Sequence, residues 1–376
     1  MKKIIPFKLA VLQFIMLPIV ISCSNRADQI PNLGLGDALI NCNTADTDIF
    51  IESVKYIPLE TNNSCLIADA SFVSLYNEFI LVADSKHNVF LFDLNGKFIR
   101  KIGIKGKGPG EYQTIFGYAF DITSGKIYLA SPSDTKVYTI DGKYVQTLNF
   151  RFDFESMLVH NDSYIITKPA FQFPDKSARS VIEIYTENGD VIRKIDYRGE
   201  IGDIPYFSML YLKDGYTYYR EELSDTLLRF GKDLNPVPFA ILGLNDFLVT
   251  QGNFKYTNIS EIEKCYRVFK MFDFKDMICF NMQKGFMSFN DITTLFYLKK
   301  SKEVVCVGNR NGKGGLFINS VSHIPKAADE NRILCLIPYK DISLLKRDSI
   351  QNPELLTISG SITENSNPVF SLVTFK

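Results

Sequence analysis

The chain has 376 residues, enough for one large or two ordinary domains, and 46% of them are hydrophobic, which provides for a sizeable core. Its 42 basic residues balance 42 acidic ones, so it lacks the basic surplus with which nucleic-acid-binding proteins neutralise phosphates, and no nucleic-acid partner is predicted. The 30 Phe and 19 Tyr, together with 15 Pro and 23 Gly, predict many strands and many turns.

The N-terminus has the order of residues that is typical of a secretory signal. Met1-Lys2-Lys3 is positively charged, residues 4–21 are almost wholly apolar, and the small residue Ser22 precedes Cys23. The apolar run is marginal for the ~20 residues that span a bilayer, and Lys8 and two prolines interrupt it, which argues against a transmembrane anchor. We therefore predict an exported protein.

The four residues Val20-Ile21-Ser22-Cys23 resemble the lipobox of bacterial lipoproteins. The resemblance implies that the signal peptide 1–22 is removed and that acylated Cys23 holds the protein on a lipid bilayer, since several acyl chains give stable anchoring. The residues that follow predict a lipid-anchored tether over 23–47. Ser24 is not the aspartate that retains many such lipoproteins at the inner membrane, which favours the outer membrane, with its periplasmic and surface sides both left open.

A repeated segment follows, first at 95–102, then at 141–148 and at 188–195, with Gly96, Gly142 and Gly189 repeating at a period of about 46 residues. Each Asn-Gly or Asp-Gly predicts a two-residue hairpin turn, in which the glycine supplies the positive φ. Apolar runs that predict strands precede each turn, at 79–83 and 89–92, at 126–130 and 137–140, and at 164–167 and 181–185. A period of ~40–50 residues with about four strands is typical of a propeller blade.

The later repeats are degenerate. They predict a fourth blade from 226–230 and 238–241, a fifth from 294–298 and 304–307, and a sixth from 316–318, 333–337 and 369–375. The strand at 54–59 is predicted to complete the last blade, which gives an all-β, six-bladed β-propeller over residues 48–376. Helical spacing of apolar residues predicts two short helical insertions, at 258–271 and 353–359.

Three segments carry a family resemblance: Tyr56-Ile57-Pro58-Leu59-Glu60-Thr61, Leu81-Val82-Ala83-Asp84, and the stretch from Gly103 to Tyr112 with its Gly-Lys-Gly-Pro-Gly-Glu-Tyr core. Together they resemble the six-bladed β-propeller lipoproteins of gut-type Gram-negative bacteria, which are related to NHL-repeat propellers. The resemblance covers roughly residues 48–376 and implies the fold. The biochemical activity of that family is largely unassigned, so no activity follows from the resemblance.

The glycine-rich segment from Gly106 to Gly110 lacks the Gly-Lys-Ser/Thr ending of a phosphate-binding loop and does not begin a helix, so no nucleotide is predicted. Its expected role is to carry the chain from the outer strand of one blade to the inner strand of the next. Four residues on this loop are candidates for a binding face: Lys105, Lys107, Glu111 and Tyr112.

Four carboxylates at strand ends are the candidates for catalysis: Asp84, Asp93, Asp121 and Asp225. If they project toward a central channel, they could coordinate a divalent ion, as in propeller lactonases. Each suits a turn-capping role as well, and that is the interpretation we favour. No cofactor is predicted, and a divalent metal is expected only with this hydrolase function.

The histidines and cysteines give little sign of a site. His87, His160 and His323 are isolated and flanked by turn residues, which predicts solvent-facing loops rather than metal ligation. Three cysteines lie in apolar runs that predict buried small side chains: Cys279, Cys306 and Cys335. An exported compartment permits a disulfide between Cys42 and Cys65, which the sequence leaves open.

Two functions remain open. The first is a binding or scaffold protein of the envelope, possible partners being an outer-membrane transporter or a glycan-utilisation protein; the lack of catalytic motifs favours it. The second is a metal-dependent hydrolase or lyase that uses the channel carboxylates. Three or more converging side chains of Asp, Glu, His or Asn in the channel would favour the enzyme.

Overall fold

The computed structural model describes residues 30–40, 49–121, 124–148, 156–160, 163–167, 180–196, 208–221, 224–248, 263–285, 292–307, 316–319, 321–345 and 352–376. Their strands form six antiparallel sheets, which we number as blades 1 to 6 in chain order. The arrangement confirms the predicted six-bladed, all-β propeller.

The first three blades have four strands each. Blade 1 contains β2 (Ala70–Tyr76), β3 (Phe79–Asp84), β4 (Val89–Asp93) and β5 (Phe98–Lys101). Blade 2 contains β6 (Gly117–Asp121), β7 (Lys126–Ala130), β8 (Thr135–Thr139) and β9 (Tyr144–Leu148). Blade 3 contains β10 (Ser156–His160), β11 (Ser163–Thr167), β12 (Ser180–Thr186) and β13 (Val191–Asp196).

The last three blades include the one that closes the ring. Blade 4 contains β14 (Ser208–Lys213), β15 (Tyr216–Glu221), β16 (Thr226–Phe230) and β17 (Pro236–Ile241). Blade 5 contains β18 (Tyr266–Asp273), β19 (Met277–Lys284), β20 (Ile292–Leu298) and β21 (Glu303–Val307). Blade 6 contains β22 (Leu316–Ile318), β23 (Val321–Ala328), β24 (Arg332–Ile337), β25 (Val369–Phe375) and β1 (Ile51–Pro58).

The ring closes through β1, which pairs antiparallel with β25 from Pro58↔Val369 to Ile51↔Phe375. This confirms the predicted closing role of residues 54–59. The first strands of neighbouring blades contact one another, as β6 and β14 both do with β10. In blade 6, where β22 is an additional strand at the edge of the sheet, the strand in this position is β23, which contacts β2. These strands therefore surround the axis of the ring.

The hydrophobic core lies in the seams between blades. In β3, Ile80 and Val82 face a cluster shared with blade 6, whereas Leu81 and Ala83 face one shared with blade 2. Successive residues of a strand point to opposite faces, so a strand covered on both faces is apolar at nearly every position. The near-continuous apolar runs of the inner strands have this cause.

The hairpins between the third and fourth strands of blades 1 to 3 differ from the prediction. The N–H of Gly96 donates to the carbonyl of Asp93, and Asp93 pairs with Lys97, so the loop has three residues rather than two. Gly96 has φ +80°, whereas Asn95 does not have a positive φ. The same hydrogen bonds recur around Gly142 and Gly189. A type I turn followed by a left-handed glycine produces this loop, whereas a two-residue turn of type I′ needs positive φ at both central residues.

Blades 4 and 5 contain strands that the sequence did not predict. Residues 266–271, predicted as part of a helix over 258–271, belong to strand β18, whereas residues 258–262 lie outside the described part of the chain. Tyr266, Val268 and Met271 pack in the core of the seam between blades 4 and 5. That pairing and burial outweigh the helical spacing, which a short apolar segment satisfies by chance.

In the described ranges, three short α-helices accompany the strands: α1 (Leu35–Ile40), α2 (Tyr339–Ser343) and α3 (Pro353–Ser361), together with a 3-10 turn at Asn245–Phe247. Helix α3 confirms the insertion predicted at 353–359. Asn352 caps it by accepting hydrogen bonds from the N–H groups of Glu354 (3.0 Å) and Leu355 (3.1 Å). Among the described residues, no helix has the length and apolar character needed to cross a membrane.

Part of the segment that the sequence assigned to the tether packs on the propeller. The N–H of Leu33 donates to the carbonyl of Ile241 (2.8 Å), and Leu33 and Leu35 are buried in the core between blades 4 and 5. Helix α1 contacts β21 of blade 5. The packed body therefore includes residues on the N-terminal side of residue 48.

Candidate functional site

The ring has two different ends. The hairpin end carries the turns from first to second and from third to fourth strand of each blade. The crossover end carries the turns from second to third strand and the connections between blades. At the hairpin end lies an axial cavity of about 780 Å³. It is lined by the turns after β2, β14 and β23 and by the end of β18. Since blades 1 and 4 stand opposite each other in a six-bladed ring, this cavity crosses the axis.

Aromatic side chains form part of the cavity wall. The ring of Tyr211 stacks on that of Tyr218 with centroids 4.9 Å apart and an interplanar angle of 9°, and Tyr76 meets Phe120 edge-on at 4.3 Å. The Tyr211 hydroxyl donates to Oδ2 of Asp273 (3.4 Å). Burial, followed by the nearby Asp273 carboxylate, raises the pKa of Tyr211 well above its usual value, so its hydroxyl stays protonated.

The charges around the cavity are only partly compensated. The Lys299 ammonium contacts Asp273 at 2.5 Å, and the Arg332 guanidinium donates to Asp329 (2.8 Å) and to the carbonyl of Asn77 (2.9 Å). The Arg332 contacts join the turn of blade 6 to that of blade 1. Two further carboxylates, Asp214 and Glu330, line the mouth and are exposed to solvent. The cavity therefore offers flat rings and hydrogen-bond acceptors.

Sequence reasoning missed this cavity because its residues lie at the ends of β2, β14, β18 and β23, which were not predicted as blade strands. A usable signal was present. Asp214-Gly215 stands between Leu210-Tyr211-Leu212-Lys213 and Tyr216-Thr217-Tyr218-Tyr219, and both residues have positive φ. Such a pair between apolar runs is a strong hairpin signal.

The glycine-rich loop connects β5 of blade 1 to β6 of blade 2 at the crossover end, as the sequence predicted. Its four candidate residues do not share one face. Lys105 and Lys107 are exposed, and the Lys105 ammonium donates to the carbonyl of Lys86 (3.1 Å). Tyr112, in contrast, is 5% exposed and packs in the core between blades 1 and 2. Burial, with a smaller contribution from Asp84, raises the pKa of Tyr112 to about 12.

Glu111 folds back onto its own loop. Its Oε2 accepts from the N–H of Gly108 (2.8 Å), and a Cβ placed at Gly106 would lie 2.0 Å from the same oxygen. Gly106 must therefore remain a glycine for this carboxylate to occupy its place. Glu111 and Tyr112 hold the loop in shape, so of the four candidates only the two lysines face solvent.

The four candidate carboxylates do not converge: three of them bind their own turns, and Asp225 binds the segment that follows β17. Asp84 is buried, and its Oδ1 accepts from the N–H groups of Lys86 (3.0 Å) and Asn88 (2.8 Å). The other three accept from nearby groups: Asp93 from the N–H of Asn95 and Lys97, Asp121 from the Ser124 hydroxyl, and Asp225 from the N–H of Gly243 and Leu244. Within the described ranges, no three side chains of His, Cys, Asp or Glu come together as a metal site.

The predicted loop position is wrong for His323, which lies on β23 and is fully buried. Its Nδ1 is 2.6 Å from the Ser371 hydroxyl and its Nε2 is 3.2 Å from the carbonyl of Ile318. Burial lowers the pKa of His323 to about 4. A histidine with both ring nitrogens hydrogen-bonded fits a strand interior, which neighbouring turn residues do not reveal. His160 ends β10, and only His87 lies in a turn.

The cysteines agree with the sequence in part. Cys279 and Cys335 are buried free thiols, as predicted. Cys306 is buried as predicted, but it is disulfide-bonded. Cys65 is a buried free thiol, and its Sγ lies 3.1 Å from the carbonyl of Glu60, so it does not pair with Cys42.

Comparison with known proteins places the chain in a family. A family model described as a domain of unknown function, DUF4934, matches residues 35–374. The chain belongs to the DUF4934 family. No curated protein shows significant similarity to it. The family description supplies no activity, so the function has to be argued from the molecule itself.

Two solved structures share the fold of this DUF4934 chain. A protein from Bacteroides fragilis NCTC 9343, whose name ascribes export to it, has a TM-score of 0.67 at 15% identity and covers 89% of this chain and 98% of its own. A member of the DUF4221 family from Bacteroides vulgatus has a TM-score of 0.56 at 14% identity and covers 87% and 97% respectively. At such low identity, the likeness shows a common fold and no common activity.

Proposed function

We propose that this chain is an exported, envelope-held binding protein that takes a small polar ligand into its axial cavity. The signal-like N-terminus supports export, as does the exported character ascribed to a neighbour of the same fold. The lipobox-like Val20-Ile21-Ser22-Cys23 supports lipid anchoring through Cys23, with the outer membrane as its site. In this position the protein would serve a nutrient transporter or a glycan-utilisation protein.

The axial cavity is the observation that carries this proposal. Its volume of about 780 Å³ lies within the ~300–1,000 Å³ that is usual for small-molecule sites. The rings of Tyr76 and Tyr211 offer flat apolar surfaces, and the carboxylates of Asp214 and Glu330 accept hydrogen bonds. This combination suits a ligand that carries hydroxyl or ammonium groups.

The test is a thermal-shift titration with spermidine and with a set of disaccharides. A ligand present at ~100 times its Kd adds about 2.7 kcal/mol of stability, which raises the Tm by about 5 °C in a domain of this size. The double variant Asp214→Asn, Glu330→Gln should lose the shift while keeping the wild-type Tm without ligand, because both side chains are exposed. Asn also tolerates the positive φ at position 214.

The matched control is Lys107→Ala at the crossover end, which should keep the full shift. If that variant loses the shift and the cavity variant retains it, the ligand binds the β5–β6 loop instead. If no compound in the set shifts the wild-type Tm, the cavity does not bind this class of ligand.

A further inference from the structure

The crossover end carries exposed apolar side chains next to lysines on blades 1 and 2. Leu66 precedes β2, and Ile104 and Phe116 lie in the β5–β6 loop, with exposed fractions of 54%, 66% and 59%. Large apolar side chains exposed this far, and grouped together, mark an interaction site more often than isolated ones do. We call this surface the crossover patch, and it comprises Leu66, Lys86, Ile104, Lys105, Lys107 and Phe116.

Direct contacts show that these loops form one surface. The Lys105 ammonium reaches the carbonyl of Lys86 (3.1 Å), and the ring of His87 lies 6.5 Å from that of Phe116. Leu66 and Lys86 line the same groove of about 420 Å³ beside the patch. The loop is held in this shape by the Glu111 and Tyr112 contacts described above, so the patch is formed before any partner arrives.

The charge of the patch is positive. Within the described part of the chain, no carboxylate forms an ion pair with Lys86, Lys105 or Lys107. Two carboxylates of these loops are occupied, since Glu111 accepts from Gly108 and Asp84 accepts from backbone N–H groups. The exposed Asp69 and Glu364 lie in the groove at the edge of the patch. Three cations beside three protruding apolar groups complement a surface that is negatively charged outside and apolar beneath.

We propose that the crossover patch docks on an anionic phospholipid bilayer. Ile104, Phe116 and Leu66 enter the boundary between headgroups and acyl chains, while the lysines contact lipid phosphates. The biological setting rests on the anchoring through Cys23 proposed above. The seven residues from Cys23 to Gln29 reach at most about 25 Å, so an anchored body stays near the bilayer and even weak docking orients it.

The test is flotation of the chain from Ser24 onward, which keeps every described residue and lacks the anchor cysteine. The probes are vesicles of phosphatidylcholine alone and vesicles that also contain phosphatidylglycerol. We expect at least fivefold more protein on the anionic vesicles at low salt, with binding that weakens as salt rises. The variant Lys86→Glu, Lys105→Glu, Lys107→Glu should lower binding at least tenfold, and Ile104→Ser, Phe116→Ser at least fivefold.

The matched control is Val191→Ser, Ile192→Ser, which changes two exposed apolar side chains on β13 at the hairpin end and should leave binding unchanged. Unaltered Tm values would show that all variants fold. The proposal is overturned if the wild-type chain ignores anionic vesicles, or if the patch and control variants bind equally. Because this chain carries no acyl group and the axial cavity is untouched, either result leaves the proposed ligand binding and anchoring standing.

Discussion

At the residue scale, most polar side chains that the sequence offered as chemistry support the backbone instead. Asp84 and Asp93 accept from the N–H groups of their own turns, and Glu111 accepts from Gly108. A buried carboxylate needs several donors to offset its loss of water, and turn N–H groups without a ladder partner supply them. The buried His323 is likewise hydrogen-bonded within the fold, to Ser371 and to the carbonyl of Ile318. Because burial keeps its ring neutral, we predict that the protein loses stability in acid.

Stability should fall as the pH drops from about 6.5 toward 4. The folded pKa of His323 is about 4 against a usual 6.5, so protons bind the unfolded chain more readily. The contribution of neutral His323 to the free energy of unfolding is fully present above pH 6.5, and up to about 3 kcal/mol of it is lost by pH 4. The Ile318 carbonyl and, to a smaller degree, Asp341 favour the charged form, and burial outweighs both in setting this pKa.

Urea unfolding of the wild type and of His323→Gln between pH 7.5 and pH 4 would measure this loss of stability. We expect the variant to be less stable at pH 7.5, because it repacks a buried site. Its free energy of unfolding should then fall by about 3 kcal/mol less than that of the wild type between pH 7.5 and pH 4. Equal slopes in the two proteins would show that other groups cause the acid sensitivity.

At the scale of single elements, the hairpin glycines differ in what surrounds them. Gly96 and Gly125 both have positive φ, at +80° and +65°. A Cβ at Gly96 would lie 2.1 Å from the carbonyl oxygen of Pro58 on the closing strand, whereas nothing lies within 4 Å of one at Gly125. The blade 1 hairpin therefore fits against the end of β1, and Gly96 permits that approach.

Gly125→Ala should cost about 1 kcal/mol in the free energy of unfolding, which is the strain of a left-handed alanine. Gly96→Ala should cost at least ~2 kcal/mol more, because the β4–β5 hairpin must also move away from β1. Chemical denaturation of both variants checks the difference. Similar costs would show that the contact with Pro58 relaxes freely.

At the scale of the whole molecule, stability depends on closing the ring with β1. That strand buries Tyr56 and Ile57, and it pairs with β25, whose edge would otherwise be open. An open, apolar strand edge favours aggregation. The N-terminal segment thus supports blade 6 and also leads from the proposed anchor.

Nested truncations under reducing conditions separate these contributions. A chain that begins at Ile30 should melt like the longer one, and one that begins at Ile49 should lose only the contacts that residues 30–40 make with blades 4 and 5. A chain that begins at Asn63 lacks β1 and should melt about 10 °C lower or aggregate, since burying two large side chains contributes about 5 kcal/mol. If all three melt alike by calorimetry, β1 does not stabilise the ring.

The sequence by itself determined the blade period, the closing strand and the crossover loop, because each depends on local signals: Asn-Gly or Asp-Gly turns for the period, an apolar run for the strand and a glycine-rich segment for the loop. Blades 4 and 5 lacked the repeated turn, so strands such as β18 became apparent only through their pairing. Residue roles required the tertiary structure. Tyr112 and His323 occupy the core because of what packs around them, and the axial cavity joins four blades that are distant in the chain. Such proximity is decided by how the strands pair around the ring, which no single stretch of sequence encodes.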